Sequence, residues 1–187
     1  MARLTRVITT RGRYAVLDGD KVVLYYEQYD APFFKSSKLF WVEAAVSGNA
    51  AWSWSKPTLA LSPTLDWEKV GTARIGNPFV FFNVAASKWR LFYSASSVHL
   101  PDADIDEPLH VGIAEAEALR GPWTRAAPAK PINVSGGAYS TDVWTVSSLK
   151  LVKPLCTAPP CPNEPLIALC NRVTFNRTDN ATGSGPP

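Results

Sequence analysis

A repeat constrains this chain more than any other feature of its sequence. Three segments recur in the same order. DGDKVVLYYEQ (18–28) is echoed by ASKWRLFYSA (86–95), KLFWVEAAVSG (38–48) by PLHVGIAEAEA (108–118), and WSWSKPTLAL (52–61) by GPWTRAAPAKPI (121–132). Matching positions stand about 69 residues apart, as in Lys21 and Lys88, Leu39 and Leu109, Trp54 and Trp123. A third unit opens near Asp142 with DVWTVSSLKLV (142–152) and PLIALCN (165–171). A period of this length, built from short apolar runs, points to stacked supersecondary units rather than to one irregular core.

The runs themselves read as strands. Segments 21–28, 38–46, 78–84, 88–95, 109–116 and 165–171 are apolar or alternating, and Gly, Asp, Asn, Ser or Pro bounds them. No stretch keeps a helical period with caps; AEAEALRG (114–121), about two turns long, comes nearest. Each unit therefore reads as four antiparallel strands joined by turns, the design of a propeller blade. One blade cannot bury both of its faces, so neighbours are required. The expected fold class is all-β, a β-propeller, with about 2.7 four-stranded blades in this chain. The expected blades are 14–75, 76–135 and an incomplete 136–187.

Composition agrees with a globular domain, since 46% of the residues are hydrophobic. Seven Trp, six Tyr and eight Phe suit half-buried pleated surfaces, and such rings also line sugar sites. The net charge of +3 and the scatter of basic residues argue against nucleic acid. No apolar run reaches the roughly 18 residues of a membrane span. The basic start, MARLTRVITTRGRYAVL, lacks the apolar stretch of a secretion signal. The expectation is a cytoplasmic protein, or a secreted one whose natural start is missing. Cys156 and Cys161 could close a small disulfide loop or be two ordinary loop thiols, and no His near them suggests zinc. Asn133, Asn176 and Asn180 head glycosylation-type triplets that matter only in a secretory pathway. SGGAYS (135–140) lacks the Lys and the following helix of a phosphate-binding loop. No metal or cofactor is expected.

With GNPFVFF, WRLFYSA and EPLHVGIAEAEALRGPWTR in view, the chain resembles the five-bladed β-propeller glycoside hydrolases, the broad group of families 43, 32, 68, 117 and 130. The best match spans 76–132, a weaker one 14–75, and the third unit is partial. Five such blades would need roughly 345 residues, so the resemblance implies a fragment or one part of an assembled propeller. It also implies a carbohydrate substrate and exposed blade edges through which the chain self-associates.

Glycosidic cleavage needs one carboxyl group to protonate the leaving oxygen and a second to activate water or attack the sugar. The acids sought are those at strand mouths. Glu107, just before the third strand of the best blade, is the candidate acid; a solvated acidic loop with Asp102, Asp104 and Asp106 is the ordinary alternative. Asp142, at the start of the third unit, is the candidate base or orienting acid; a turn aspartate is its alternative. Asn77 stands before Pro78 where the resembling enzymes carry an Asp. It cannot act as a base, but it can bind a sugar hydroxyl. Pro78 is read as the first residue of its strand, where no ladder donor is needed. Trp144 and His99 complete the substrate-binding set. Glu27 and Glu43 read as structural acids, inner-facing or paired with Arg. Trp52, Trp54, Trp89 and Trp123 read as blade-to-blade core. Three functions follow in order: a glycoside hydrolase, a carbohydrate-binding propeller without turnover, and a structural propeller with no sugar ligand.

Overall fold

The computed structural model describes residues 8–10, 12–30, 36–46, 52–100, 105–126, 143–152 and 167–174. The chain is all-β there. Its strands are β1 (Ile8–Thr10), β2 (Arg13–Asp18), β3 (Lys21–Tyr29), β4 (Ser37–Ala45), β5 (Thr58–Leu61), β6 (Ile75–Asn83), β7 (Lys88–Ala95), β8 (Val98–Leu100), β9 (Ile105–Glu107), β10 (His110–Ala116), β11 (Thr124–Arg125), β12 (Val143–Val152) and β13 (Ile167–Thr174). One 3-10 turn at Asp66–Glu68 precedes β6. Among the described residues no helix is long and apolar enough to cross a membrane.

The strands form antiparallel sheets in chain order. The first runs β1-β2-β3-β4-β5, and the second β11-β10-β7-β6. The short pair β8–β9 is an insertion between β7 and β10, and β12 pairs with β13. β3 and β7, β4 and β10, and β5 and β11 are the same strands of successive sheets, the correspondence that the repeat predicts. The first sheet has five strands rather than four because β1 adds to the outer side of β2. Tight turns set the registers. Asp18 pairs with Lys21 across Gly19-Asp20, and Gly19 takes the positive φ of 66° that a two-residue hairpin asks for.

The core lies between the first two sheets. β6 packs against β2, β3 and β4, and β12 neighbours β6, β7 and β10. Alternation sends Val23 and Tyr25 of β3 inward with Tyr14 and Val16 of β2 and with Leu39 of β4. Ile75, Val80, Leu91, Tyr93, Ala114 and Trp123 meet them from the second sheet. Both central tyrosines carry a polar tip into this core, and each tip is satisfied. Tyr25 donates to the Leu119 carbonyl across the interface, and Tyr93 donates to Glu68 Oε1 at 2.8 Å. Gly112 makes room for the Tyr93 ring, since a Cβ there would stand 2.2 Å from it.

Two sequence expectations change. Pro78 is the fourth residue of β6, not the first of its strand. The ladder with β7 slips between Gly76 and Phe79, so an extra residue bulges out, and Asn77 takes φ 48°. A bulge relieves the proline's missing N–H as well as a strand start would. Trp52 and Trp54 are not core: they are 46% and 42% exposed. Trp123 is buried, and Trp89 packs half-buried against the core.

A fully buried carboxylate ties the connection before β6 to the outer strand β11. Glu68 accepts from Arg125 Nε (3.0 Å) and Nη2 (2.9 Å), from Tyr93, and from the N–H groups of Thr64 (2.8 Å) and Leu65 (3.0 Å). Burial alone would raise its pKa. The donors, Arg125 first, outweigh burial and hold it below the usual 4.5. A carboxyl with a lowered folded pKa contributes stability above its unfolded pKa, and that contribution is lost as pH falls through the folded value. Two outcomes are expected in urea unfolding. Arg125→Met costs about 3–5 kcal/mol at neutral pH, because it strands a buried charge. Glu68→Gln loses stability less steeply than the parent as pH is lowered below 4.5; an equal slope in both proteins would show that Glu68 does not report on folding.

Candidate functional site

Three segments meet at one end of the two sheets: the end of β3 with the start of β4, the run into β6, and the exit from β7. Ser36 bridges Ala73 in parallel, and the Ser37 N–H donates to the Ala73 carbonyl at 3.1 Å. These bonds lay the residues before β6 alongside the first sheet. The strand mouth that the sequence marked with Asn77 is therefore built by both sheets.

An ion pair organises it. Arg74 Nε donates to Glu27 Oε1 at 2.8 Å, and its Nη2 reaches Oε2 at 3.4 Å. The Glu27 side chain is only 5% exposed and that of Arg74 16%. Ser37 Oγ donates to Glu27 Oε1 at 2.8 Å and accepts the Ile75 N–H at 3.2 Å. The guanidinium also lies 5.6 Å from the centre of the Tyr29 ring. Gly76 passes directly over the carboxylate; a Cβ there would come 2.1 Å from Glu27 Oε2. One residue further, Asn77 is half-buried and its Nδ2 donates to Ser94 Oγ at 3.3 Å. The bulge at Asn77 and Pro78 separates this amide from the regular ladder. Ser96 and Ser97, buried beyond the end of β7, bond to the Trp67 carbonyl and to Thr72.

Chemically, the ion pair is a support and not an acid. Glu27 accepts from Arg74 and Ser37, so it anchors Arg74 and the course of β6. Asn77 offers an uncharged amide. Glu43, the other acid read as structural, is also Arg-paired: Lys21 at 2.6 Å and Arg120 at 2.7 Å hold its pKa below the usual carboxylate range. Arg74 and Arg125, on which both buried carboxylates depend, were not singled out from the sequence. Their only advance signal was the presence of strand-mouth acids that needed partners.

The remaining candidates fall on elements next to this mouth. His99 lies on β8 and Glu107 on β9, where they face Asp106 and Val98 across the hairpin. Trp144 lies on β12, at an irregularity in its pairing between Val143 and Thr145. β12 packs against both β6 and β9, so the strands carrying Asn77, Glu107 and Trp144 are neighbours. Asp142 immediately precedes β12 and lies outside the described residues, as do Cys156, Cys161, Asn133, Asn176 and Asn180. Among the described residues no three His, Cys, Asp or Glu side chains gather as a metal site.

Gly76→Ala must displace the Glu27 carboxylate and is expected to cost about 1–3 kcal/mol in urea unfolding. In a cycle with Glu27→Ala the two losses should not add, because removal of the carboxylate frees the space. Full additivity would mean that the close approach at Gly76 is not what fixes the pair.

No family model matches the sequence, and no curated protein matches it. Solved structures do match. The crystal structure of an α-L-arabinofuranosidase from Lactobacillus brevis aligns with a TM-score of 0.56 at 16% identity, over 89% of this chain and 53% of its own. A thermostable family-43 glycoside hydrolase aligns with a TM-score of 0.48 at 20% identity, over 95% of this chain and 57% of its own. The chain thus spans about half the length of the structures it matches. Its sheets, which do not close into a ring within the described residues, share the propeller-type fold of the matched arabinofuranosidase structure.

Proposed function

We propose that this chain is part of a glycoside hydrolase-like propeller that acts on the glycosidic bonds of an oligo- or polysaccharide. The observation that carries this reading is the bulged mouth of β6. There a half-buried Asn77 sits beside Ser94, over an ion pair that fixes the strand, in a fold shared with an arabinofuranosidase. Glu107 serves as the acid that protonates the leaving oxygen, and Asp142 as the base or orienting carboxylate. Asn77, Trp144 and His99 contact the sugar. Trp144 offers an apolar face for a pyranose or furanose ring, and Asn77 a hydrogen bond to a hydroxyl. The adjacency of β6, β9 and β12 supports this grouping.

One observation favours a second reading, a carbohydrate-binding propeller without turnover. Asn77 stands where an acid would supply catalysis, and its amide is already engaged with Ser94.

The test is hydrolysis of aryl glycosides, with α-L-arabinofuranoside first and β-xyloside, β-fructoside and β-mannoside beside it. On the hydrolase reading one substrate turns over, and Glu107→Gln and Asp142→Asn each lower the rate by about 10²–10⁴-fold. Binding of the matching sugar without turnover moves the assignment to the second reading. Turnover that survives both substitutions removes these residues from the mechanism.

A further inference from the structure

An asparagine side chain carries donors at one end and an acceptor at the other, and an unheld amide can flip to show a ligand either one. The Asn77 amide is held. Its Nδ2 donates to Ser94 Oγ at 3.3 Å, and Ser94 is buried. Its Oδ1 accepts no hydrogen bond from the described residues. That oxygen is not sealed in the core either. Among the described residues, the buried side-chain polar atoms without a partner are the indole nitrogens of Trp41 and Trp123. Oδ1 therefore opens at the strand mouth.

Backbone geometry fixes both partners. Ser94 lies within the ladder of β7, paired with Val111 on one side and with Gly76 on the other. Asn77 follows Gly76 inside the bulge at φ 48°, a left-handed conformation that residues with side chains seldom take. Ser96, two residues beyond Ser94, is left-handed as well, at φ 62°, and fully buried. Its N–H donates to the Arg74 carbonyl at 3.0 Å, and its Oγ to the Trp67 carbonyl. Two such residues at the adjoining ends of β6 and β7 mark a mouth whose conformation the surroundings impose, the common setting of a ligand clamp. The nearby Glu27 carboxylate is engaged by Arg74 and Ser37, so it does not compete with Asn77 Oδ1 for a ligand's proton.

We propose that Ser94 is a positioning residue that sets the polarity of this mouth. It holds the Asn77 amide so that Oδ1 meets the sugar. The site then takes a glycosyl unit with a free hydroxyl at that position and refuses one whose hydroxyl is acylated or etherified. This rests on the carbohydrate reading above, with turnover or without it. A hydroxyl donates its proton to Oδ1, whereas an ester or ether oxygen brings only lone pairs against it. Without Ser94 Oγ the amide can flip and offer Nδ2, which donates to those oxygens. A carboxylate at the same position has no donor to offer whichever way it turns.

The test compares the aryl glycosides of the panel above with their mono-O-methyl derivatives, by kcat/KM where one turns over and by Kd where one only binds. In the parent, methylation at one ring position should cost about 10–100-fold, the scale of one acceptor left unpaired. Ser94→Ala should bring that ratio to within about threefold of unity, since the flipped amide pairs with the methylated oxygen. Adding Asn77→Asp to Ser94→Ala should restore the discrimination, a recovery that a purely structural role for Ser94 would not give. Asn77→Gly, which suits φ 48°, should level the ratio too, and it carries the test if Ser94→Ala fails to fold. A ratio that Ser94→Ala or Asn77→Gly leaves intact means exclusion by bulk and overturns the proposal. So does a parent with no discriminating position. Both of these results leave the carbohydrate reading in place, whereas failure of every glycoside to bind or turn over overturns the two together.

Discussion

Everything in this structure hangs on the packing of β6 against the first sheet. β6 touches β2, β3 and β4, and its Ile75 and Val80 are buried with the inward residues of that sheet. A four-stranded antiparallel sheet with apolar residues at both parities has no stable solution alone. The contact with the first sheet is apolar at its centre, where Val23, Leu39, Ile75 and Leu91 are fully buried. It is polar at its anchors. Tyr25 and Tyr93 each bring one hydroxyl to a fixed acceptor, which selects a single register where apolar contact alone would tolerate sliding.

Much of this was legible because the repeat writes the architecture more than once. β3 and β7 can be aligned by eye, and their shared pattern of small, aromatic and β-branched residues fixes strand type and face. The ends of the elements were less legible. The start of β6 was missed by three residues, because Asn77-Pro78 looks like a boundary in sequence while a bulge lets the ladder run through it. The exposure of Trp52 and Trp54 could not be read either. Their repeat partner Trp123 is buried by a neighbouring sheet, and burial of that kind belongs to the assembly and not to the local sequence.

The site was legible in part. Asn77 was found because, with Pro78, it opens a strand where the resembling enzymes carry an Asp. Its support was not found, because Glu27, Ser37 and Gly76 lie on three strands and Arg74 on the run into β6, and they converge only when the sheets pack. Gly76 shows the logic. Nothing in the sequence asks for glycine there, yet any side chain would drive the Glu27 carboxylate off its arginine.

The charge pattern of the described residues narrows where chemistry can reside. A catalytic acid must change protonation during turnover, so it needs an environment that leaves both forms accessible. Glu68 and Glu43 fail that condition, since donors hold their charged forms, and Glu27 lies within the Arg74 and Ser37 bonds. These carboxylates stabilise the sheets by being saturated. On the proposed reading the reacting acids therefore come from the segments that enter between β7 and β10 and ahead of β12. There a carboxyl group can face substrate in place of an arginine. The rigid ion pairs beneath would then do for those segments what a scaffold does for active-site loops: they fix the strand mouths so that the loops need only present the chemistry.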